Sequence, residues 1–235
     1  MAPPKTARLR GQANAMASRD QKTEPRRPDP RLYLFSPPAL DPARCASALA
    51  AALSGAAVAA VLLRLPEADE RRLINTVKSV APAVQSTGAA LLLAGYPDIV
   101  ARAGADGAHL TGFEAFSAAR AALQPERIAG CGGLKTRHDA MVAAEAGADY
   151  VLFGEPDAAG QRPSLAAITE RVAWWSEIFE PPCVGFAAAL ADVQPLAAAG
   201  ADFVALGDCI FEDARGPAAA LADAAAHLAL PEPVG

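Results

Sequence analysis

The 235-residue chain has few of the residues from which metal and redox sites are built. It contains three histidines and four cysteines, and no two cysteines stand in C-x-x-C spacing. H-E-x-x-H, Walker and nucleophile-elbow motifs are also missing, which argues against an all-protein zinc site and the enzyme classes that these motifs mark. Because three of the cysteines lie in apolar runs, where reduced thiols are typical, we expect a reducing, cytoplasmic location.

Long apolar runs and an excess of basic charge are missing too. No segment approaches the roughly 18 apolar residues that cross a bilayer. The net charge is −5, and this mild acidity argues against nucleic acid or an anionic membrane as the main partner. Hydrophobic residues make up 52% of the chain, which is ample for one large core.

The first thirty residues differ from the rest of the chain. Residues 1–30 are rich in Lys, Arg, Pro and Gln and show no hydrophobic periodicity, which predicts a disordered basic arm. A transit peptide, or an over-long start with Met16 as the true first residue, is the alternative. Residues 230–235 are expected to form a C-terminal tail, so that residues 31–229 form the folded domain.

A tripeptide of Gly and Ala followed by Asp or Ala recurs five times along this domain, starting at Gly55, Gly88, Gly104, Gly147 and Gly200. Each copy follows an Ala-rich helical stretch and precedes a short apolar run. Glycine readily takes the left-handed conformation that ends a helix. The tripeptide therefore predicts that a helix stops and a strand begins directly.

Eight short apolar runs alternate with eight helical segments, and continuous apolar runs of this length are typical of parallel strands buried on both faces. This alternation predicts a single (β/α)₈ barrel of the α/β class. A doubly wound open sheet is the alternative, but Ser36-Pro37-Pro38 after the first strand has no likeness to G-x-G-x-x-G. The predicted strands are Leu32–Phe35, Ala57–Leu63, Ala89–Leu93, Gly107–Leu110, Ile128–Cys131, Tyr150–Phe153, Cys183–Phe186 and Phe203–Leu206.

The loops that follow the strands carry the chemistry of such a barrel. Arg64 ends strand 2, where it either contacts a ligand or forms an internal ion pair. His109 lies inside strand 4 as a core or a catalytic histidine. Gly132 and Gly133 could present backbone N–H groups to an anion beside Lys135, or simply form a tight loop. Further glycines at strand ends, which leave room for a ligand, are Gly154, Gly185 and Gly207.

The loop after strand 6, from Gly154 to Arg162, is the longest polar one at this mouth and is read as a lid or a plain connection. Asp106, Asp149 and Asp202 fall on the opposite rim, where we expect them to accept hydrogen bonds in turns. The Trp174-Trp175 pair lies on an outer helix and indicates core packing or a subunit contact, so a homo-oligomer stays open.

From Leu32 to about Ala225 the sequence resembles the thiamine phosphate synthase family, including its thiazole tautomerase branch. The resemblance implies a transferase of thiamine biosynthesis that joins hydroxymethylpyrimidine diphosphate to a thiazole phosphate, while Mg²⁺ holds the departing diphosphate. It is carried by Leu32-Tyr33-Leu34, Val61-Leu62-Leu63-Arg64, the run from Ala105 to Leu110, the run from Gly147 to Gly154, and Ala199-Gly200-Ala201-Asp202.

The resemblance also assigns residues to roles. Arg64 matches a family arginine, Arg162 aligns with the strand-6 lysine, and Glu114 aligns with a metal-binding aspartate. Gly95 stands where the family has its other metal ligand. The strand-7 Gly-Gly pair reads Ala187-Ala188, and the strand-8 serine falls near Asp208.

These departures predict a synthase whose activity is weak or altered. The first alternative is a non-catalytic or regulatory barrel that binds a phosphorylated heterocycle. The second is an enzyme for another small anion, which would use Arg64, Glu114, Lys135 and Arg162.

Overall fold

The computed structural model describes residues 28–228. Most of the predicted basic arm, residues 1–27, and the predicted tail, residues 230–235, lie outside these residues. Eight parallel strands pair in the order β1 to β8, and β8 closes onto β1. The predicted (β/α)₈ barrel is confirmed, and the alternative of an open sheet is wrong.

The strand predictions agree with the structure to within three residues at either end. β2 is shorter than predicted because its pairing with β1 and β3 begins only at Ala60. The strands are β1 Arg31–Phe35, β2 Ala60–Leu63, β3 Ala90–Ala94, β4 Gly107–Thr111, β5 Ile128–Gly132, β6 Tyr150–Phe153, β7 Cys183–Phe186 and β8 Phe203–Leu206.

Helices cover the outside of the barrel. Short 3₁₀ turns, Pro97–Ile99 and Leu190–Asp192, precede α3 and α7. The four-residue helix α8 was not predicted, because so short a segment has no periodicity. The helices are α1 Pro42–Leu53, α2 Glu70–Gln85, α3 Val100–Ala103, α4 Phe113–Leu123, α5 Arg137–Glu145, α6 Leu165–Ile178, α7 Val193–Ala198, α8 Asp208–Phe211 and α9 Pro217–Leu228.

The core has two layers that share the strands. The larger layer lies between strands and helices and includes Trp175, which is fully buried. The smaller one fills the barrel lumen, where Tyr33, Phe35, Tyr150 and Phe186 are among the buried side chains. Since both faces of each strand are buried, the strands read as continuous apolar runs. No helix within residues 28–228 is long and apolar enough to cross a membrane.

The recurring tripeptide acts as predicted at four of its five positions. Gly88, Gly104, Gly147 and Gly200 all take positive φ angles after their helices. Gly55 is required for a different reason, because a Cβ there would lie 2.9 Å from the Cα of Ala218 in α9. The tripeptide therefore marks helix ends, and its first copy also lets α1 and α9 approach closely.

The aspartates that were predicted to be turn acceptors lie at the rim formed by the strands' amino ends. Each precedes an even-numbered strand and accepts a backbone N–H from the preceding strand. Asp106 bonds Leu91 N at 2.7 Å, Asp149 bonds Ala129 N at 2.7 Å, and Asp202 bonds Cys183 N at 2.8 Å. Their carboxylates extend the hydrogen-bonded ladder at the floor of the barrel, which confirms that they are structural.

Candidate functional site

A cavity of about 490 Å³ opens at the carboxyl ends of β4, β5 and β6. Four of the predicted site residues meet there, namely Gly133, Lys135, Gly154 and Arg162, and Arg64 is not among the lining residues. The other residues that line the cavity are Thr111, Leu134, Glu155, Pro156, Asp157, Gln161, Pro163 and Arg171.

Three cations line this cavity, and one of them is structural. The guanidinium of Arg171 donates to the carbonyl oxygens of Leu134 at 2.7 Å and Lys135 at 3.1 Å. It thus holds the loop after β5 in place, a role that the sequence alone did not reveal. Lys135 and Arg162 are exposed, and neither forms an ion pair within the described part of the chain. These two side chains are therefore available to an anion in the cavity.

The polar loop after β6 is organised by Asp157. Its carboxylate accepts the N–H groups of Ala159 and Gln161, each at 2.9 Å. The N–H of Asp157 donates in turn to the carbonyl of Gln161, also at 2.9 Å. Because these bonds turn the loop back on itself, Arg162 returns to the cavity wall.

Glu155 places a carboxylate at the inner end of the cavity. Its side chain is only 9% exposed, and its Oε1 accepts the backbone N–H of Gly133. Of the two readings that the sequence left open, one gave this N–H to a bound anion, and in the structure the chain's own carboxylate takes that place. Glu155 directly follows Gly154, the first residue after β6, and this position at the mouth is the signal that could have identified it.

His109 lies behind Glu155 in the lumen and is 4% exposed. Its ring stacks on Tyr150 with centroids 5.7 Å apart, and Nδ1 lies 3.0 Å from the Tyr150 hydroxyl. That hydroxyl is 3.0 Å from the hydroxyl of Tyr33. Nε2 of His109 is buried without a hydrogen-bond partner in residues 28–228, and Oε1 of Glu155 is 3.8 Å away, too far for a hydrogen bond.

Burial keeps Tyr33 and Tyr150 in their neutral form. It raises the pKa of Tyr33 and of Tyr150 well above the usual value of 10.0, and the charge of Glu155 adds to the effect in each case. Each hydroxyl therefore has a proton to donate at neutral pH. The lumen holds a row of hydrogen-bonding groups that leads from Tyr33 through Tyr150 to His109.

Arg64 is paired within the protein, on the far side of the mouth. Its guanidinium donates to the carboxylate of Asp208 and to the carbonyl of Ser36, and its N–H donates to Ser36 Oγ at 3.0 Å. Of the two alternatives for Arg64, the structure shows the internal ion pair. Asp208 begins the unpredicted helix α8, which turns its carboxylate toward β2.

The carboxylates at this mouth do not form a protein-held metal site. Glu114 lies in the first turn of α4, while Gly95 offers no side chain. Within residues 28–228, no group of three His, Cys, Asp or Glu side chains is placed to hold a metal ion. Mg²⁺ usually binds through one or two carboxylates with water and substrate phosphates, and of the positions that the resemblance implies, Glu114 alone offers a carboxylate. Glu114 alone does not make a protein-held site, so an Mg²⁺ ion at this mouth would depend on substrate phosphates and water for its other ligands.

Two of the predicted glycines face other parts of the molecule. A Cβ on Gly185 would lie 3.0 Å from Leu196 in the helical layer, and one on Gly207 would lie 3.5 Å from Phe35 in the lumen. Gly132 faces the inner end of the cavity, since a Cβ there would lie 2.6 Å from Nε2 of His109 and would overlap Glu155. Gly132 is therefore the glycine that lets His109 and Glu155 approach each other.

Comparison with known proteins gives one consistent result. The family model described as thiamine monophosphate synthase matches residues 32–210. A thiamine-phosphate synthase of Rhodospirillum centenum is 41% identical over 198 residues, covering 83% of this chain and 96% of the relative. One from Hyphomonas neptunium is 34% identical over 204 residues, covering 83% and 92%.

Solved structures show the same barrel. Thiamine phosphate pyrophosphorylase from Pyrococcus furiosus superposes with a TM-score of 0.71 at 18% identity, covering 86% of this chain and 96% of that one. A 3-hexulose-6-phosphate synthase from Salmonella typhimurium superposes with a TM-score of 0.66 at 16% identity, covering 84% and 98%. At such identities the likeness concerns the fold alone.

Proposed function

The chain belongs to the thiamine monophosphate synthase family, and on that premise we propose that it binds a small phosphorylated ligand, such as a phosphorylated heterocycle, while forming thiamine phosphate weakly or not at all. The observation that carries this proposal is that two groups able to bind an anion are already bonded to carboxylates of the protein. The guanidinium of Arg64 and the N–H of Gly133 are each bonded to a carboxylate of the same chain. A substrate phosphate must compete with both.

The ion pair at Arg64 bears most directly on turnover. A catalytic Arg64 would have to stabilise the charge that develops on the leaving diphosphate. Asp208 neutralises that guanidinium and adds a negative charge to the mouth of the barrel. Removing a single preorganised donor commonly costs about 10²- to 10³-fold in rate, and pairing it with a carboxylate is expected to have an effect of the same kind.

Ligand binding is assigned to Lys135 and Arg162, the two cavity-lining cations whose side chains form no ion pair or hydrogen bond within residues 28–228. Lys135 and Arg162 flank the cavity, and the loops that carry them are held by Arg171 and Asp157. Arg162 can bind two phosphate oxygens at once, while Lys135 acts as a compact charge. We assign the phosphate to this side of the mouth and route no step through Mg²⁺.

The alternative is a barrel that binds this ligand without converting it, in a regulatory or carrier role. The replacement of a metal-binding aspartate by Gly95 favours it, because the departing diphosphate would lose a counter-charge. This alternative predicts ligand binding with no turnover, whereas a weakened synthase predicts slow but measurable turnover. A cytoplasmic location and a homo-oligomeric state stay predictions of the sequence.

The test combines a turnover assay with a binding measurement. We expect that the purified protein, given both thiamine precursors and Mg²⁺, forms thiamine phosphate at least about a hundredfold below the lower end of the common kcat range of about 1–10³ s⁻¹. Titration calorimetry should show that pyrophosphate binds, and that Lys135→Ala and Arg162→Ala weaken this binding.

Lys78→Ala is the matched control, because Lys78 is an exposed residue of α2 away from the cavity. Turnover within the common range would refute the proposed loss of activity. Pyrophosphate binding that is equally strong in all three lysine and arginine variants would refute the proposed site.

A further inference from the structure

Glu155 lies between two possible donors and uses one of them. Its Oε1 accepts the N–H of Gly133 and stays 3.8 Å from Nε2 of His109. Its side chain is 9% exposed, so that water satisfies little of its charge. The carboxylate of Glu155 therefore has two possible positions. In one it accepts the N–H of Gly133, and in the other, after a short movement, it accepts Nε2–H of His109.

His109 is oriented so that its free nitrogen faces this carboxylate. The Tyr150 hydroxyl lies 3.0 Å from Nδ1, and the Tyr33 hydroxyl lies 3.0 Å from that of Tyr150. When Tyr33 donates to Tyr150 and Tyr150 donates to Nδ1, the ring proton of neutral His109 lies on Nε2. Nε2–H is then a buried donor without an acceptor in residues 28–228, and such a group destabilises the arrangement until it finds one.

The backbone leaves room for the carboxylate to pass between these donors. Gly132, at the end of β5, lies against both groups, because a Cβ at this position would overlap the carboxylate and lie 2.6 Å from Nε2. The movement that brings Oε1 from 3.8 Å to hydrogen-bond distance of Nε2 is on the order of 1 Å. Such a movement would free the N–H of Gly133 and satisfy His109 at the same time.

We propose that Glu155 is a displaceable internal anion, which occupies the Gly133 amide until a phosphate group takes that amide and the carboxylate moves to Nε2 of His109. The proposal rests on the proposed function, because it places the inner phosphate oxygen of the same ligand. It adds that this chain has built a competitor into its own site. His109 acts as a positioning residue that receives the competitor and does not touch the ligand.

The free energy needed to displace Glu155 then lowers the affinity for the ligand. The ligand gains the Gly133 amide, while Glu155 exchanges one hydrogen bond for another and keeps its negative charge near the phosphate. Loss of that charge should therefore strengthen phosphate binding, a gain that a structural role for Glu155 would not produce. Two negative groups about 4 Å apart near a protein surface repel each other enough to reduce affinity by more than tenfold.

The test measures pyrophosphate binding by titration calorimetry to the full chain and three variants. Glu155→Gln keeps the shape and removes the charge, and we expect affinity to rise about 10- to 100-fold. Glu155→Asp keeps the charge but shortens the side chain, so that it loses the Gly133 amide, and we expect a smaller rise. Glu177→Gln is the control, because it removes the same charge from an exposed position of α6 and should leave affinity unchanged.

Each alternative gives a different result. If Glu155→Gln raises affinity and Glu155→Asp does not, Glu155 acts through charge alone and the displacement is refuted. If neither variant changes an affinity that still depends on Lys135 and Arg162, the internal competitor is refuted while the proposed site stands. If pyrophosphate binds neither the wild-type chain nor Glu155→Gln, both proposals fail.

Nuclear magnetic resonance supplies a second readout that does not depend on affinity. Saturating pyrophosphate should shift the backbone amide of Gly133 and the Nε2 proton of His109 in the wild-type chain, because each gains a new acceptor. In a His109→Phe variant the Gly133 shift should persist but require more pyrophosphate, since the displaced carboxylate has no donor to receive it. An unchanged Nε2 resonance at saturation would overturn the assigned movement.

Discussion

Replacing Gly130 by alanine tests whether the lumen network is as tightly built as the structure shows. Gly130 lies in β5 beneath the ring of Tyr150, and a Cβ there would overlap the ring carbons and the hydroxyl oxygen of that tyrosine. Carbon atoms in contact normally lie about 3.5–4.0 Å apart, so the ring must retreat by roughly 1 Å or more. A retreat of that size breaks both 3.0 Å contacts of its hydroxyl, to Tyr33 and to His109.

Two costs add in this variant. Overpacking a well-filled core costs about 1–3 kcal/mol, and each buried polar group left without a partner costs about 1–3 kcal/mol more. We therefore expect Gly130→Ala to lower the free energy of unfolding by about 2–6 kcal/mol, a large part of the usual total of about 5–15 kcal/mol. Urea denaturation followed by circular dichroism measures the loss.

The double variant with Tyr150→Leu is the control. Once the ring is gone, the added methyl group has space, so Gly130→Ala should cost less than about 1 kcal/mol in the Tyr150→Leu background. The reasoning is refuted if the single variant loses less than about 1 kcal/mol, or if the methyl group costs the same in both backgrounds.

Two further predictions concern the mouth and the alkaline limit of stability. Asp208→Asn should release Arg64 and strengthen pyrophosphate binding. It should change the free energy of unfolding by less than about 1 kcal/mol, because the paired side chains are 30% and 58% exposed and exposed ion pairs contribute little to stability. Titration calorimetry and a thermal melt measure the two effects, and unchanged binding would contradict the prediction. Burial raises the pKa of Cys131 from 9.0 to about 12, with the charge of Glu155 adding to the effect. The unfolded chain loses this proton first as pH rises, so stability should be complete below about pH 9 and fall above it by about 1.4 kcal/mol per pH unit. Urea denaturation at about pH 8 and pH 10 measures the fall, and Cys131→Ala should make it smaller.

The architecture was predictable because each element carries its own signal. Tyr150–Phe153 and Cys183–Phe186 were predicted to the residue, since strands that are buried on both faces are apolar without interruption. The floor aspartates were predictable as hydrogen-bond acceptors because each stands in the turn before a strand, but the N–H that each accepts belongs to the neighbouring strand and not to the turn. The helix α8 was missed, because it is short and does not lie between two apolar runs as the predicted helical segments do.

The hydrogen bonds and ion pairs within the candidate site were not predictable, because they join residues that are far apart in the sequence. Arg64 and Asp208 are 144 positions apart, and Gly133 and Glu155 are 22 apart. The sequence left open whether Arg64 contacts a ligand or forms an internal ion pair, and whether Gly133 binds an anion or only forms a tight loop. It could not identify Asp208 and Glu155 as the partners of these two groups. The closure of the barrel determines which loops meet at the mouth, and no local sequence pattern indicates this.

The floor aspartates also divide the barrel into units. Asp106, Asp149 and Asp202 join β3 to β4, β5 to β6 and β7 to β8, so each of these hydrogen bonds stays within one strand–helix–strand segment. A chain opened within α4 or α6 would keep every such bond inside a single fragment, whereas a chain opened within α3, α5 or α7 would part a carboxylate from its amide. New termini, or an inserted domain, are therefore best tolerated at α4 and α6, and the barrel can be treated as an assembly of paired strands whose loops at the mouth are free to diversify.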